Sequence, residues 1–436
     1  MSPTKDRVKW GATKEYTGTF SCWWNRSRQS VVMSRHREAE AEIDRRVLDY
    51  MRRRHVPGIS LGIARGERLF LAKGYGWADQ ALSHGPAGPL RLPVSAQPEH
   101  LYRIASISKP ITAVAVMTLV ANDRLHLDDR VFGADGVLDA RFPIPVAAPD
   151  AGRLRKITVR HLLEHTSGWD LGGDDDVMFV NDPAGPQLSM DQDELITWVL
   201  AHRAPAAEPG TTAHYSNFGY CVLGRVIETI SGHPYATYVR AAVLDPCGIA
   251  DMRIAANERL GRAPGEVRYY PNGTGTSDPC HRIVPNKPYA LNVSRMDAHG
   301  GWVASVVDLL RFAVRTDGLS TVADLLTPTG LHTMTTPSAA DASRGLAWEI
   351  RTTYELIPGP YPPRLRRLRT WGHRGLMVGT LAHLLIRDDG LALAALGNSR
   401  PGEDCSATEF VEMLEDIAET VSGWSYWPVY DLFACY

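Results

Sequence analysis

The chain has 436 residues, 44% of them hydrophobic and 22% charged, with a formal net charge of −2. That length and apolar content suffice for a large buried core, in one two-lobed unit or two domains. Near-neutral charge removes the electrostatic basis for binding nucleic acid or an anionic membrane surface, and no apolar run is long enough to span a bilayer. Residues 1–35 are polar, carry Trp10, Trp23 and Trp24, show no period and read as an N-terminal extension. They lack the roughly 7–15-residue apolar core of a secretory signal, so a cytoplasmic protein is expected. The six cysteines (Cys22, Cys221, Cys247, Cys280, Cys405 and Cys435) include no C-x-x-C pair. They read as free thiols of a reducing compartment.

In chain order, residues 38–54 predict a charged amphipathic helix, stopped by Pro57-Gly58. Ile59, Leu61 and Ile63, then Leu69 and Leu71, alternate around Arg65-Gly66-Glu67, the pattern of a β-hairpin. After a Pro-rich connection, Ser106 opens a helix whose apolar face runs through Ala113, Val114, Val116, Met117 and Val120 to an exit at Asn122. Residues 157–165 read as a short helix capped by Thr158 and ended by Gly168, and residues 195–200, 218–230 and 305–312 as further helices. Residues 255–295, rich in Gly, Pro and Asn, read as long loops. Strands are expected at 346–351, 380–386 and 391–396, the last two joined by Asp388-Asp389-Gly390. A final helix over 407–421 precedes an aromatic C-terminal tail at 421–436.

Strands near both ends with helices between them predict an α/β (α+β) fold. Its antiparallel sheet is built from both termini and flanked by helices, with an inserted all-helical lobe. Residues 36–110 and 296–420 would form the sheet lobe, 111–295 the helical lobe, and 36–420 together one catalytic domain.

Ser106-Ile107-Ser108-Lys109 carries the strongest chemical signal. A serine three residues before a lysine lies on the same side of a helix, about one turn away. A hydroxyl is a weak nucleophile until a base takes its proton, and a partly desolvated Lys can be that base. Only seven lysines stand among the 47 Lys+Arg. Guanidinium does not deprotonate in proteins, so a base is a position where Arg will not serve. The spacing alone is not specific, because Ser2-Pro3-Thr4-Lys5 also fits it. A capping serine beside a solvated lysine is the plain alternative.

Two further segments would complete an acyl-transfer site. Tyr215-Ser216-Asn217 lies where a turn enters a helix. A phenol held beside ammonium groups loses its proton more easily and can act as base and then acid. The Asn217 amide can hold Lys109 and a substrate carbonyl. His373-Arg374-Gly375 precedes an apolar strand. Glycine there admits a substrate to the backbone, and the next N–H, that of Leu376, can stabilise an oxyanion. Tyr270-Pro271-Asn272 and His299-Gly300-Gly301 repeat the two patterns in less suitable surroundings.

Rival signatures exist. Gly58-Ile59-Ser60-Leu61-Gly62 matches G-x-S-x-G, but a nucleophile elbow needs a strand, a sharp turn and a helix, and here a strand runs straight through Ser60. His161-Leu162-Leu163-Glu164-His165 matches H-x-x-E-H, with both imidazoles on one helical face. A zinc site requires a third protein ligand, and nothing singles one out. A non-catalytic binding module is the remaining class.

The ordered segments VPGISLGIARG, RIASISKPITA, ITVRHLLEHTSGW, EPGTTAHYSNFGYCVLGRVIE, HGGWVASVVDLLRF, GLAWEI and GHRGLMVGTLAHLLIRDDGLALAALGN resemble the serine β-lactamase/penicillin-binding-protein superfamily. The resemblance is to the branch holding class C β-lactamases, esterases of the same fold and D-amino-acid peptidases. It runs from residue 38 to residue 420 and implies a sheet flanked by helices, a helical lobe and a site between them. It implies Ser106 as the acylated nucleophile, Lys109 as its partner, Tyr215 as general base and Asn217 in the same network. His373 and Gly375 fall at the third motif, with the N–H groups of Ser106 and Leu376 as the oxyanion hole.

No metal or organic cofactor is implied, and the partner is a small-molecule or peptide-like ester or amide. Class C lactamases carry Lys where this chain has His373, which weighs against lactam turnover. The expected function is a serine hydrolase acting through a Ser106 acyl-enzyme, esterase-like. A D-amino-acid amidase or peptidase, a β-lactamase and an acyltransferase share its first half-reaction. A zinc protease using His161 and His165 is the alternative of another class.

Overall fold

The computed structural model describes residues 26–80, 84–85, 88–89, 92–171, 176–271, 288–319, 321–357, 364–400, 404–424 and 430–436. Helix α1 (Arg26–Arg54) leads into the hairpin of β1 (Gly58–Arg65) and β2 (Arg68–Asp79). Short pieces follow: β3 (His84–Gly85), β4 (Gly88–Pro89), β5 (Val94–Ser95) and β6 (Tyr102–Arg103). The helical stretch comprises α2 (Ser108–Ala121), α3 (Ala151–Leu154), α4 (Val159–Leu163), α5 (Gln192–His202), α6 (Asn217–Ser231) and α7 (Tyr235–Val239). β7 (Arg253–Ile254), β8 (Trp302–Ala304), α8 (Val306–Ala313) and α9 (Pro328–Thr335) connect it to the last four strands. These are β9 (Glu349–Ile357), β10 (Arg364–Met377), β11 (Thr380–Arg387) and β12 (Leu391–Gly397), and α10 (Asp404–Ser422) covers them.

The main sheet has the order β5-β2-β1-β12-β11-β10-β9. Its centre joins the two ends of the chain, because β1 pairs antiparallel with β12 from Ile59↔Gly397 to Arg65↔Leu391. Successive side chains of β1 serve two cores. Ile59, Leu61 and Ile63 pack with Val47 and Tyr50 of α1 and Phe410, Leu414 and Ile417 of α10. On the other face Ala64 joins Leu309 and Leu310 of α8 in the larger core that also holds α2 and α6. The strand is therefore buried on both faces, and the expected alternation of buried and wet positions is absent. Each fully buried Leu or Ile here contributes about 1.5–3 kcal/mol of hydrophobic stabilisation.

One boundary shifts, and two segments are placed more closely. The first helix starts at Arg26, so residues 26–35 of the expected extension are helical, while residues 1–25 lie outside the described residues. His373-Arg374-Gly375 precedes the apolar strand β11, as expected, and itself lies inside β10. The C-terminal segment is docked: Asp431 Oδ1 accepts from Leu69 N–H at 3.1 Å, and Leu432 and Phe433 pack on the core. Among the described residues no helix is long and apolar enough to cross a membrane.

Candidate active site

Ser106 sits in a 3-10 turn, Ala105–Ile107, that runs directly into α2. Ala105 adopts φ 45°, a left-handed conformation unusual for a residue with a side chain. Such strain is held only where surrounding structure enforces it, and it aims the next residue away from ordinary helix geometry. No side chain caps the turn or α2, so Ser106 is not a capping serine. Its neighbours in α2 are almost all buried, and Ser106 itself is half-buried.

Lys109, in the first turn of α2, is fully buried. Its Nζ lies 3.0 Å from Ser106 Oγ, 2.6 Å from Asn217 Oδ1 and 3.0 Å from the His299 carbonyl oxygen. The Asn217 amide is oriented by its other end, whose Nδ2 donates to Asp176 Oδ2 at 2.5 Å. With a carboxylate there, Oδ1 must face Lys109. Asn217 Oδ1 and the His299 carbonyl can only accept. A neutral amine would give its two N–H groups to them and leave its lone pair for the Ser106 hydroxyl. Burial holds the Lys109 amine well below the ordinary lysine range; Asp176 pulls it back up and Arg344 pushes it further down.

Tyr215 precedes α6, whose N-terminus is capped by Ser216 Oγ accepting from Gly219 N–H at 3.0 Å. Such a cap contributes about 1 kcal/mol and fixes where the helix, and hence Asn217, begins. The Tyr215 phenol faces the Ser106 side chain. Its ring centre lies 4.7 Å from Lys109 Nζ and 5.4 Å from the Arg344 guanidinium. The expectation from sequence was an easily ionised phenol. Burial instead pushes Tyr215 above the ordinary tyrosine range, although Ser106 and Arg344 both pull it down.

His373 faces the same space, its ring centre 6.2 Å from that of Tyr215. Its Nδ1 lies 2.6 Å from the Arg374 carbonyl, which can only accept, so Nδ1 carries the proton and Nε2 the lone pair. Burial drives the imidazole down to about 3, against the pull of Glu349, and Lys109 reinforces the fall. His373 is therefore neutral at pH 7.

Gly375 also has a packing role that its sequence did not suggest. A Cβ there would collide with the Ile104 carbonyl oxygen and stand 3.1 Å from Ala382 Cβ. The glycine lets the Ser106 turn press against β10. β9 pairs with β10 only as far as Gly372, so the strand from His373 to Leu376 has no β9 partner on that edge.

The rival motifs resolve differently. Ser60 is buried in β1, where Oγ donates to the Gln97 carbonyl at 2.9 Å and pairs with Tyr102 Oη at 3.0 Å. Tyr270 is occupied accepting from Gln80 N–H at 2.6 Å, and Asn272 lies outside the described residues. The helix bearing His161 ends at Leu163, and His165 has φ 59°, so the two imidazoles do not share a helical face. His161 Nδ1 accepts from Thr158 N–H at 3.2 Å in a capping box. Among the described residues no group of three His, Cys, Asp or Glu is arranged to hold a metal ion.

Sequence reasoning missed Asp176 and the His299 carbonyl. Asp176 sits in an irregular segment with no motif around it, and a main-chain carbonyl has no residue signature. Burial raises the Asp176 carboxyl to about 6, against the hydrogen bonds from Asn217 and Met178.

A Ser, Lys and Tyr converge beside an antiparallel sheet and a buried central helix, the architecture of the β-lactamase/transpeptidase fold. A Beta-lactamase family model matches residues 43–415, and the chain belongs to that family. The D-amino acid amidase from Ochrobactrum anthropi SV3, solved with D-phenylalanine, superposes with a TM-score of 0.64 at 22% identity, covering 88% of this chain and 99% of that one. The octameric penicillin-binding protein homologue from Pyrococcus abyssi gives 0.62 at 24% identity, over 86% and 77% of the two chains. An Escherichia coli (strain K12) protein, whose name proposes a D-alanyl-D-alanine carboxypeptidase, is 25% identical over 73% of each chain. Protein flp of Staphylococcus aureus (strain NCTC 8325 / PS 47) is 28% identical over 48% of this chain, and the match spans only 37% of that relative.

Proposed function

We propose that the chain is a serine hydrolase that cleaves an ester or amide through an acyl-enzyme on Ser106, with ester-like substrates preferred. The observation that carries this reading is the buried Lys109 amine with one proton-donating hydrogen-bond partner, the Ser106 hydroxyl. Ser106 Oγ attacks the substrate carbonyl carbon while its proton passes to Lys109 Nζ. The N–H groups of Ser106 and Leu376 hold the oxyanion, as the family resemblance implies. The bond to the leaving group then breaks, and the proton returns to that group by way of Lys109 and the Tyr215 phenol. Water, deprotonated by the same pair, attacks the acyl carbon and releases the acid and free Ser106.

Asn217 fixes Lys109, and Asp176 fixes Asn217. In this reading the sheet segments (36–110 and 296–420) and the helical segment (111–295) meet at the site. The names of the amidase and carboxypeptidase relatives favour a second reading, hydrolysis of D-amino-acid amides or peptides through the same acyl-enzyme. The distinguishing experiment measures kcat/KM for a p-nitrophenyl ester and a D-phenylalanine amide, each with and without a strong chelator. The first reading expects faster ester cleavage, unchanged by the chelator. Faster amide cleavage supports the second, and activity lost to the chelator and restored by zinc contradicts both.

A further inference from the structure

His165 combines two unusual features. Its backbone is left-handed, with φ 59°, a conformation uncommon for residues with a side chain, although Asn, Asp and His enter it more readily than most. Its buried ring accepts from Ser216 N–H through Nδ1 at 3.0 Å, so the proton is on Nε2, which has no hydrogen-bond partner among the described residues. A buried orphan donor is unfavourable, and an apolar side chain would avoid it.

Its surroundings supply a reason. The imidazole lies against Tyr215 with ring centres 4.5 Å apart and planes 31° apart, and against Tyr220 at 5.1 Å. Its carbonyl accepts from His214 N–H at 2.8 Å, so residue 165 grips both sides of Tyr215 through the backbone. The phenol is thereby set against Ser106, while Lys109 Nζ lies 4.7 Å from the ring centre. From this geometry we infer that His165 is a positioning residue for Tyr215: its ring sets the plane of the phenol, and its Nδ1 sets the turn that carries it. The inference rests on the hydrolase reading, in which Tyr215 moves the proton.

Two substitutions separate ring from acceptor. His165→Asn suits the left-handed backbone and keeps an acceptor for Ser216 N–H, but removes the ring. His165→Phe keeps the ring and removes the acceptor. Labelling of Ser106 by a fluorophosphonate is checked first; the readout is then the rate of Ser106 acylation by a simple alkyl ester, whose leaving alkoxide needs a proton, with melting temperature and substrate KM measured alongside. H165N is expected to melt within a few degrees of the unaltered chain, keep KM within about 2-fold and acylate roughly 10- to 100-fold more slowly. The deciding step is a cycle with Tyr215→Phe. Because His165 acts through the phenol, H165N should change the rate less than 3-fold in the Y215F background.

An equal loss in both backgrounds overturns the inference, as does an H165N protein that acylates within 2-fold of the unaltered chain. If H165N does not fold, H165F is put through the same cycle with the same criteria. An unaltered chain that takes no label at Ser106 contradicts the hydrolase reading itself, a failure visible before any variant is made.

Discussion

Lys109 Nζ lies 3.0 Å from Ser106 Oγ, and that hydroxyl is the only one of its three hydrogen-bond partners able to give it a proton. This relationship turns a short sequence spacing into a chemical assignment. The other two partners are oxygens that only accept, so they hold the amine without competing for its lone pair. Burial that disfavours the charged amine also disfavours the charged phenolate, and it acts on Lys109 and Tyr215 in opposite senses. Burial thus makes Lys109 easier to deprotonate and Tyr215 harder.

Lys109→Arg keeps a positive charge but removes the titratable amine. It is expected to reduce acylation by about 10²- to 10⁴-fold, the usual contribution of a general base, and to match Lys109→Ala within a factor of a few. Stopped-flow acylation with an activated ester measures both. Near-native rates in the Arg variant would show that position 109 supplies only charge.

His373 gives a pH signature. Its folded-state value of about 3 lies below the 6.5 of an unperturbed imidazole, so between those limits the unfolded chain binds more protons. Stability contributed by keeping it neutral is complete above pH 6.5 and is lost as the pH falls toward 3. The slope from this group is on the order of 1.4 kcal/mol per pH unit. His373→Gln removes the group, so the stability gap between the two proteins should move in favour of the variant between pH 7 and pH 5. Urea unfolding at the two pH values measures it, and a constant gap contradicts a neutral buried His373.

The same neutrality bears on substrate choice. A substrate carboxylate gains a charge-assisted contact from Lys, worth about 1.5–3 kcal/mol, that a neutral imidazole does not supply. That is about 10- to 150-fold in specificity. The unaltered chain should favour a p-nitrophenyl ester over a chromogenic cephalosporin, and His373→Lys should move the ratio of kcat/KM toward the cephalosporin by about that factor. Faster cephalosporin turnover by the unaltered chain contradicts the argument.

Gly375→Ala tests the contact between β10 and the Ser106 turn. Its new methyl group meets the Ile104 carbonyl, a backbone atom that cannot swing aside. Separating strand and turn displaces Ser106 from the strand edge, and an ångström-scale shift of a reacting group lowers rates by about 10²-fold. The expected result is that loss in acylation together with a lower melting temperature. Unchanged acylation would mean that the strand edge does not position Ser106.

Much of this was legible in the sequence because the signals are local. The Thr158 cap, the hairpin around Gly66 and the apolar run of α2 each depend on residues a few positions apart, and all three are present. What was not legible comes from distant chain segments meeting. β1 is wet on neither face because α1 and α10 cover one side and α8 the other. Asp176, Asn217 and Lys109 form one relay from three separate regions. His161 and His165 looked paired only while the helix was assumed to continue past Leu163. That Gly375 admits the backbone of Ile104 was likewise not legible, because the two segments lie far apart in sequence.

The measurement that bears most directly on the account is the site of covalent labelling. The chain is incubated with a fluorophosphonate, digested, and the modified peptide sequenced by mass spectrometry, in parallel with Ser106→Ala. The account predicts a single adduct on Ser106 within the segment 103–109, and no adduct in the S106A protein, whose melting temperature stays within a few degrees. Labelling that persists in S106A, or that falls on Ser60, contradicts it.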